Sequence, residues 1–161
     1  FRLSDTAAFH RYRSDPELAR YQGWSVMTVD DAHTFVREMA GAAALVRGGW
    51  IQLAIADLAT DSLLGDVGLY VDETGHYAEL GFTLSHDAQG AGHATRAVAA
   101  AATLLFRISA VATIRAVTDA RNAHSIAVLA RAGFQRISEQ SAFFKGEECR
   151  EITFALARSE S

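Results

Sequence analysis

The sequence predicts an α/β fold of the α+β kind with one mixed sheet: N-terminal helices, an antiparallel meander, then alternating strand and helix. Three observations predict it. Apolar residues in the first third recur at helical spacing. The middle third reads as short strands joined by tight turns. The last part alternates strand and helix patterns, so the whole reads as helices layered on a sheet. No internal repeat or composition shift divides the 161 residues, so residues 1–161 read as a single domain with a core large enough to be stable without staples.

Each element has its own signal. Ser4 or Asp5 caps a helix running to about Arg13. Pro16 opens a short second helix to Tyr21, with Ser14 or Asp15 as cap. Thr28 and Asp31 form a capping box ahead of Ala32, Phe35, Val36, Met39 and Ala43, and Gly48-Gly49 is expected to stop that helix. Ile51, Leu53 and Ile55 alternate as a strand, followed by a turn at Ala59–Ser62. Leu64–Val71 is a second strand interrupted by Gly65 and Gly68, and after the turn Asp72–Gly75 comes a third, Tyr77–Leu84. A helix from about His93 to Ile108 carries Ala94, Ala97, Val98, Ala101, Leu104, Leu105 and Ile108 on one face. Thr113–Thr118 is a strand, Asn122–Ala132 a helix closed by Gly133, and strands start at Phe134 and at Arg150.

Composition narrows the function classes. A net charge of −4 with 21 % charged residues argues against a nucleic-acid binder relying on a basic field. The single cysteine, Cys149, excludes an intramolecular disulfide framework and a multi-cysteine zinc site, and the six histidines show no metal-ligand spacing, so no metal is expected. The uncharged stretch Ala97–Phe106 is too short to span a bilayer, and no membrane association is expected. The chain starts at Phe1 without a signal-like segment, so it reads as cytoplasmic, with its start trimmed.

Two constellations carry chemistry. Gln89-Gly90-Ala91-Gly92-His93-Ala94-Thr95 lies between a strand and a helix start. Such a turn aims backbone N–H groups and the positive end of a helix dipole at one point, which suits a phosphate or pyrophosphate. It is neither a Walker loop nor a dinucleotide fingerprint, and a plain glycine turn has the same local pattern. The second is Asn122-x-x-Ser125-x-x-x-Leu129-x-x-x-Gly133-Phe134. It places two polar side chains at a helix start behind a strand's C-terminal end, where ligands of α/β units gather. Read alone, Asn122 is better explained as a plain helix cap.

Together, in this order, the two resemble the GNAT superfamily of acyl-CoA N-acyltransferases, in the branch of the ribosomal-protein N-terminal acetyltransferases. Gln89, Gly92 and Ala94 match that family's phosphate loop; Glu79–Leu84 fits its bulged central strand; Asn122, Ser125, Leu129, Gly133 and Phe134 match the branch's helix; and Phe144-Lys145-Gly146 before the last strand also fits. The resemblance covers nearly the whole chain. It implies a truncated first strand, of which Phe1-Arg2-Leu3 is the remnant. It implies acetyl-CoA as co-substrate, with the N–H groups of Gln89, Gly90, Ala91, Gly92, His93, Ala94 and Thr95 holding the pyrophosphate. Phe82, Thr83 and Leu84 would pair with the pantetheine arm, and an N–H near Leu84 would steady the tetrahedral oxyanion. Asn122 would hydrogen-bond the pantetheine or its sulfur end.

The implied reaction is direct attack of a neutral primary amine on the thioester in a ternary complex. A base must take the amine's proton, and Glu79 is the candidate; an exposed or arginine-paired carboxylate has the same signature. Many relatives use a tyrosine as acid on the later helix, and that position is Leu129 here. Ser125 is the branch's stand-in, as a hydrogen-bond donor to the leaving thiolate. The acceptor is a protein N-terminus or a small amine, and a homodimer is in keeping with the branch.

Tyr21 and Trp24 sit in an aromatic loop that would line the acceptor site, although plain packing explains either ring alone. Trp50 reads as structural. His86, His124, Arg96, Arg115, Arg121 and Arg131 flank the proposed cleft, with solvated surface positions as the default. Competing readings are a non-catalytic acetyl-CoA-binding regulatory module and a phosphate-binding regulator that uses the glycine turn alone.

Overall fold

The computed structural model describes residues 1–159. Helices α1 (Thr6–Arg13), α2 (Pro16–Ala19) and α3 (Val29–Gly41) come first, then strands β1 (Trp50–Ala56), β2 (Leu63–Val71) and β3 (Tyr77–Leu84). Then follow α4 (His93–Ile108), β4 (Thr113–Asp119), α5 (Ala123–Arg131), β5 (Gln135–Phe144) and β6 (Glu147–Ala157). The predicted order of helices, meander and alternation is what is found.

Two of the expected caps form: Asp15 accepts from the Glu17 and Leu18 N–H groups, and Thr28 and Asp31 close a reciprocal capping box. The cap expected from Ser4 or Asp5 does not: Asp5 precedes α1 without a side-chain bond to it, because its carboxylate accepts from the Arg2 N–H. Three further expectations are not met. α3 ends at Gly41 and not at Gly48-Gly49, because Ala42, Ala43 and Ala44 are all exposed and alanine propensity alone does not extend a helix that buries nothing. Phe1-Arg2-Leu3 is not a strand: Leu3–Asp5 is a 3-10 turn, and the Phe1 ring packs edge-on against Phe9 and Phe35. On α4 the buried stripe is Ala94, Val98, Ala101, Ala102 and Leu105, while Leu104 and Ile108 fall on its flank and stay exposed.

The six strands form one sheet in the order β1-β2-β3-β4-β6-β5. All neighbours are antiparallel except β3 and β4. That parallel pair holds over three positions, Tyr77–Glu79 against Thr113–Arg115. Beyond it β3 continues to Leu84 paired on its β2 side, and β4 continues to Asp119 paired with β6. The sheet therefore splays between its two central strands.

β2 supports the free end of β3 at close range. A Cβ on Gly65 would lie 2.1 Å from the Thr83 carbonyl oxygen, so only glycine lets the strands approach there. α4 and α5 cover one face over a core that includes Leu69, Leu80, Leu105, Ile114 and Leu129. α1 and α3 cover the other through a second cluster of Phe9, Tyr12, Ala32 and Val36. The small buried residues Ala94, Ala101 and Ala102 let α4 lie close to β2 and β3.

Candidate active site

The glycine turn is made by backbone geometry. Gly90 and Gly92 hold φ of 84° and 77°, a region a side chain disfavours. Gly92 is the N-cap of α4, so the first N–H groups of that helix project past it with the positive end of its dipole. Arg96 folds back over the turn, donating to the Ala91 carbonyl at 3.2 Å and to His93 Nδ1 at 3.0 Å. Gln89 Nε2 donates to the Leu84 carbonyl at 3.3 Å and ties the turn to the end of β3.

The free edge of β3 has a defined polarity. The Ser85 N–H donates to the Leu64 carbonyl on the β2 side. By strand alternation Gly81 and Thr83 also face β2, and Phe82 and Leu84 direct their N–H and C=O groups into the gap. The gap-facing carbonyls of Phe82 and Leu84 both accept side-chain amides, from Gln22 and Gln89 respectively.

At the start of α5, Asn122 is the helix cap: its Oδ1 accepts from the Ser125 N–H at 3.1 Å. The bland reading of Asn122 is thus correct for its oxygen, and its Nδ2 makes no protein hydrogen bond among the described residues. The Ser125 hydroxyl likewise has no protein partner among them.

These three pieces open on one cleft of about 540 Å³. Phe82, Thr83 and Leu84 form one wall; Gln89, Gly90, Gly92, His93, Ala94 and Thr95 close one end; Asn122 and Ser125 form the opposite wall; Tyr21 comes over from the N-terminal helices. Ala91 belongs to the turn but does not line the cleft.

Two site residues lie elsewhere. Trp24 does not line the cleft. Its ring packs 4.3 Å from the buried Arg13 guanidinium, so it is part of the packing under α1. Glu79 lies at the paired foot of β3, opposite Arg115 in register and outside the cleft. Half-burial pushes its carboxyl above the usual range, and Arg115 partly offsets this. Alternation puts Glu79, Gly81 and Thr83 on the same face of the sheet, and the space above Gly81 is open.

Leu129, at the position of the expected tyrosine, is buried in the core, and Val128 is the neighbour that faces the cleft. Sequence reasoning missed Val128 and Ala127, although both share the α5 stripe of His124 and Arg131 at helical spacing. It also missed Glu17, Leu18 and Arg20 on the wall beside Tyr21. No local pattern marks them, because they reach the cleft through the placement of α2.

His86 and His124 both line the cleft, as does Arg131. His86 Nε2 lies 3.0 Å from Asp15 and 3.8 Å from Glu17. The possible ligand atoms of these three residues lie within 4.8 Å of one another, but the cap on α2 already engages Asp15. At the end of β4, Asp119 holds Arg121 in a two-pronged pair at 2.9 and 2.8 Å, and these bonds keep the Asp119 carboxyl below its ordinary range.

This geometry combines a mixed sheet split between its parallel central strands, an anion-seeking turn at a helix start and a free strand edge. Residues 1–135 match the acetyltransferase (GNAT) domain family, and the chain belongs to this family of N-acetyltransferases. Its fold is similar to a GNAT-family acetyltransferase from Bacillus anthracis at 22 % identity and TM-score 0.83, covering 98 % of this chain and 91 % of that one. It is also similar to the spermidine N-acetyltransferase from Vibrio cholerae in complex with CoA and spermine, at 16 % identity and TM-score 0.78 over 98 % and 92 %. A third likeness is the ribosomal-protein-S5-alanine acetyltransferase from Vibrio fischeri, at 20 % identity and TM-score 0.77 over 98 % and 90 %. No curated protein matches the sequence at a significant level. No helix among the described residues is long and apolar enough to cross a membrane.

Proposed function

We propose that residues 1–161 form a single acetyl-CoA-dependent N-acetyltransferase domain that transfers the acetyl group to a primary amine by direct attack in a ternary complex. One observation carries the reading: the glycine turn, the free edge of β3 and the Asn122–Ser125 helix start all open on the same cleft. The turn suits the pyrophosphate of CoA, and the gap-facing groups of Phe82 and Leu84 suit the two amides of a pantetheine arm. The Vibrio cholerae relative, in complex with CoA and spermine, supports a CoA thioester as donor and an amine as acceptor.

The steps follow from the residues. The pantetheine arm continues the sheet beside β3 and brings the thioester to the level where β3 and β4 part. The N–H near Leu84 stabilises the oxyanion as the carbonyl carbon becomes tetrahedral. The amine approaches from the Glu79 face, and Glu79 takes its proton through water along the open strip above Gly81. The C–S bond then breaks, and the thiolate accepts hydrogen bonds from the Ser125 hydroxyl and the Asn122 amide. A thiolate leaves readily enough that the burial of Leu129 in place of a tyrosine costs the reaction little. The acceptor is a protein N-terminus or a small amine.

The competing reading, a non-catalytic acetyl-CoA-binding module, is favoured by that same missing tyrosine. Thiol release from acetyl-CoA with a panel of N-terminal peptides, polyamines and small amines separates the two. Amine-dependent thiol release is expected; tight acetyl-CoA binding with no turnover on any member would replace the enzyme with the module.

A further inference from the structure

Gln22 connects the segment after α2 to the strand that defines the cleft. Its Nε2 donates to the Phe82 carbonyl at 3.3 Å, a long hydrogen bond that is cheaply exchanged. The segment around it is stapled at both ends. Lys145, at the tip of the β5–β6 hairpin, donates from Nζ to the carbonyls of Ala19 and Trp24, at 2.7 Å each. Arg20, Tyr21, Gln22 and Gly23 lie between the staples, and Gly23 has open space around it.

Tyr21 gives this four-residue flap a second attachment. Its ring lies 5.1 Å from the Arg20 guanidinium and 5.5 Å from that of Arg121, which Asp119 fixes at the end of β4. The flap therefore touches β3 through Gln22 and the end of β4 through Tyr21. It bridges the two strands where they separate.

We propose that Gln22 is a positioning residue that couples the two substrates: the pantetheine amide of the acyl donor takes over the Phe82 carbonyl from Gln22, and the released flap carries Tyr21 into its acceptor-binding position. This rests on the reading that the donor's pantetheine arm pairs with β3. A carbonyl facing a narrow gap gives its open side to one amide at a time, so donor binding exchanges Gln22 for the ligand. Because Ala19 and Trp24 are held by Lys145, the displacement is confined to Arg20–Gly23 and is not spread into α2 or α3. The donor is then expected to bind before the amine.

The test is acetyl-CoA titration calorimetry on the wild-type chain, Gln22→Ala and Gln22→Met, with steady-state kinetics on the amine found by the panel. Gln22→Met keeps the length of the side chain and lacks the amide. Both variants should bind acetyl-CoA about 3- to 10-fold more tightly, the value of one hydrogen bond no longer exchanged. At saturating acetyl-CoA the amine KM should stay near the wild-type value, because Gln22 is already displaced in the donor complex, whereas the amine should bind the donor-free variants several-fold more tightly than the donor-free wild type, a gain that mere loosening of the fold does not produce. Unchanged or weaker acetyl-CoA binding by either variant, beside intact wild-type binding, overturns the inference and leaves the acyl-donor reading standing. Absence of acetyl-CoA binding by the wild-type chain overturns both.

Discussion

Glu79 shows what a single residue owes to its surroundings. The sequence places it on a central strand beside the proposed thioester, and the structure puts it at the foot of β3, half-buried and opposite Arg115. Burial disfavours its charged form, so its carboxyl titrates above the ordinary range and nearer to neutrality, as suits a base. A base works deprotonated, so kcat/KM should fall as the pH drops through this raised value. Glu79→Gln should lower kcat at neutral pH by about 10²-fold or more and abolish that acidic limb, with acetyl-CoA affinity nearly unchanged. A pH–rate series of thiol release checks both, and full activity in the variant removes Glu79 from the mechanism. Trp24 marks where residue type alone misled. An aromatic in a loop looks the same in sequence whether it faces a cleft or the core, and here Trp24 stacks on Arg13.

Among the elements, α1 is fastened to the sheet by a buried polar cluster that no motif announces. Arg13 donates to Asp66 at 2.7 Å and the Tyr12 hydroxyl donates to its other oxygen at 2.5 Å, all three groups being buried. The partners lie 53 and 54 positions apart in sequence, so local pattern cannot pair them. Burial and the neighbouring carboxylate push the Tyr12 phenol upward, which keeps it neutral as a donor. Asp66→Ala would leave the Arg13 guanidinium buried without its counter-charge, at a cost of about 3–5 kcal/mol. Urea unfolding measures this, and a loss below about 1 kcal/mol would show that the cluster relaxes freely. The effect should reach the site as well. Arg13 packs on Trp24, whose carbonyl Lys145 holds, and the flap with Gln22 and Tyr21 lies between the staples. By contrast α4, α5 and the meander were legible, because periodicity, caps and turn residues are local signals. The early end of α3 was not, since it depends on what the helix fails to bury.

Over the whole molecule, the order of the elements was readable, and so was the identity of the two motifs that meet. The opening between them was not. It arises because β3 and β4 pair over three positions and then separate, each held by its other neighbour. Neither strand's sequence states that separation. The contribution of α2 to the cleft was equally hidden, because Glu17, Leu18 and Arg20 reach it through a one-turn helix placed by contacts distant in sequence. The net charge of −4 is compatible with the proposed site, which would hold an anion by backbone N–H groups and a helix dipole instead of a basic surface. Gly92, the left-handed cap of α4, stands at the start of that helix, where the proposed pyrophosphate would sit. Glutamate there adds a charge that repels pyrophosphate and a side chain that fills the turn, besides a left-handed strain of about 1–2 kcal/mol. The most direct measurement is calorimetric titration of acetyl-CoA into the wild-type chain and into Gly92→Glu, with thermal unfolding confirming that the variant is folded. Binding by the wild type and none by folded Gly92→Glu is the expected result; equal affinity in the two would contradict the placement of the acyl donor in this cleft.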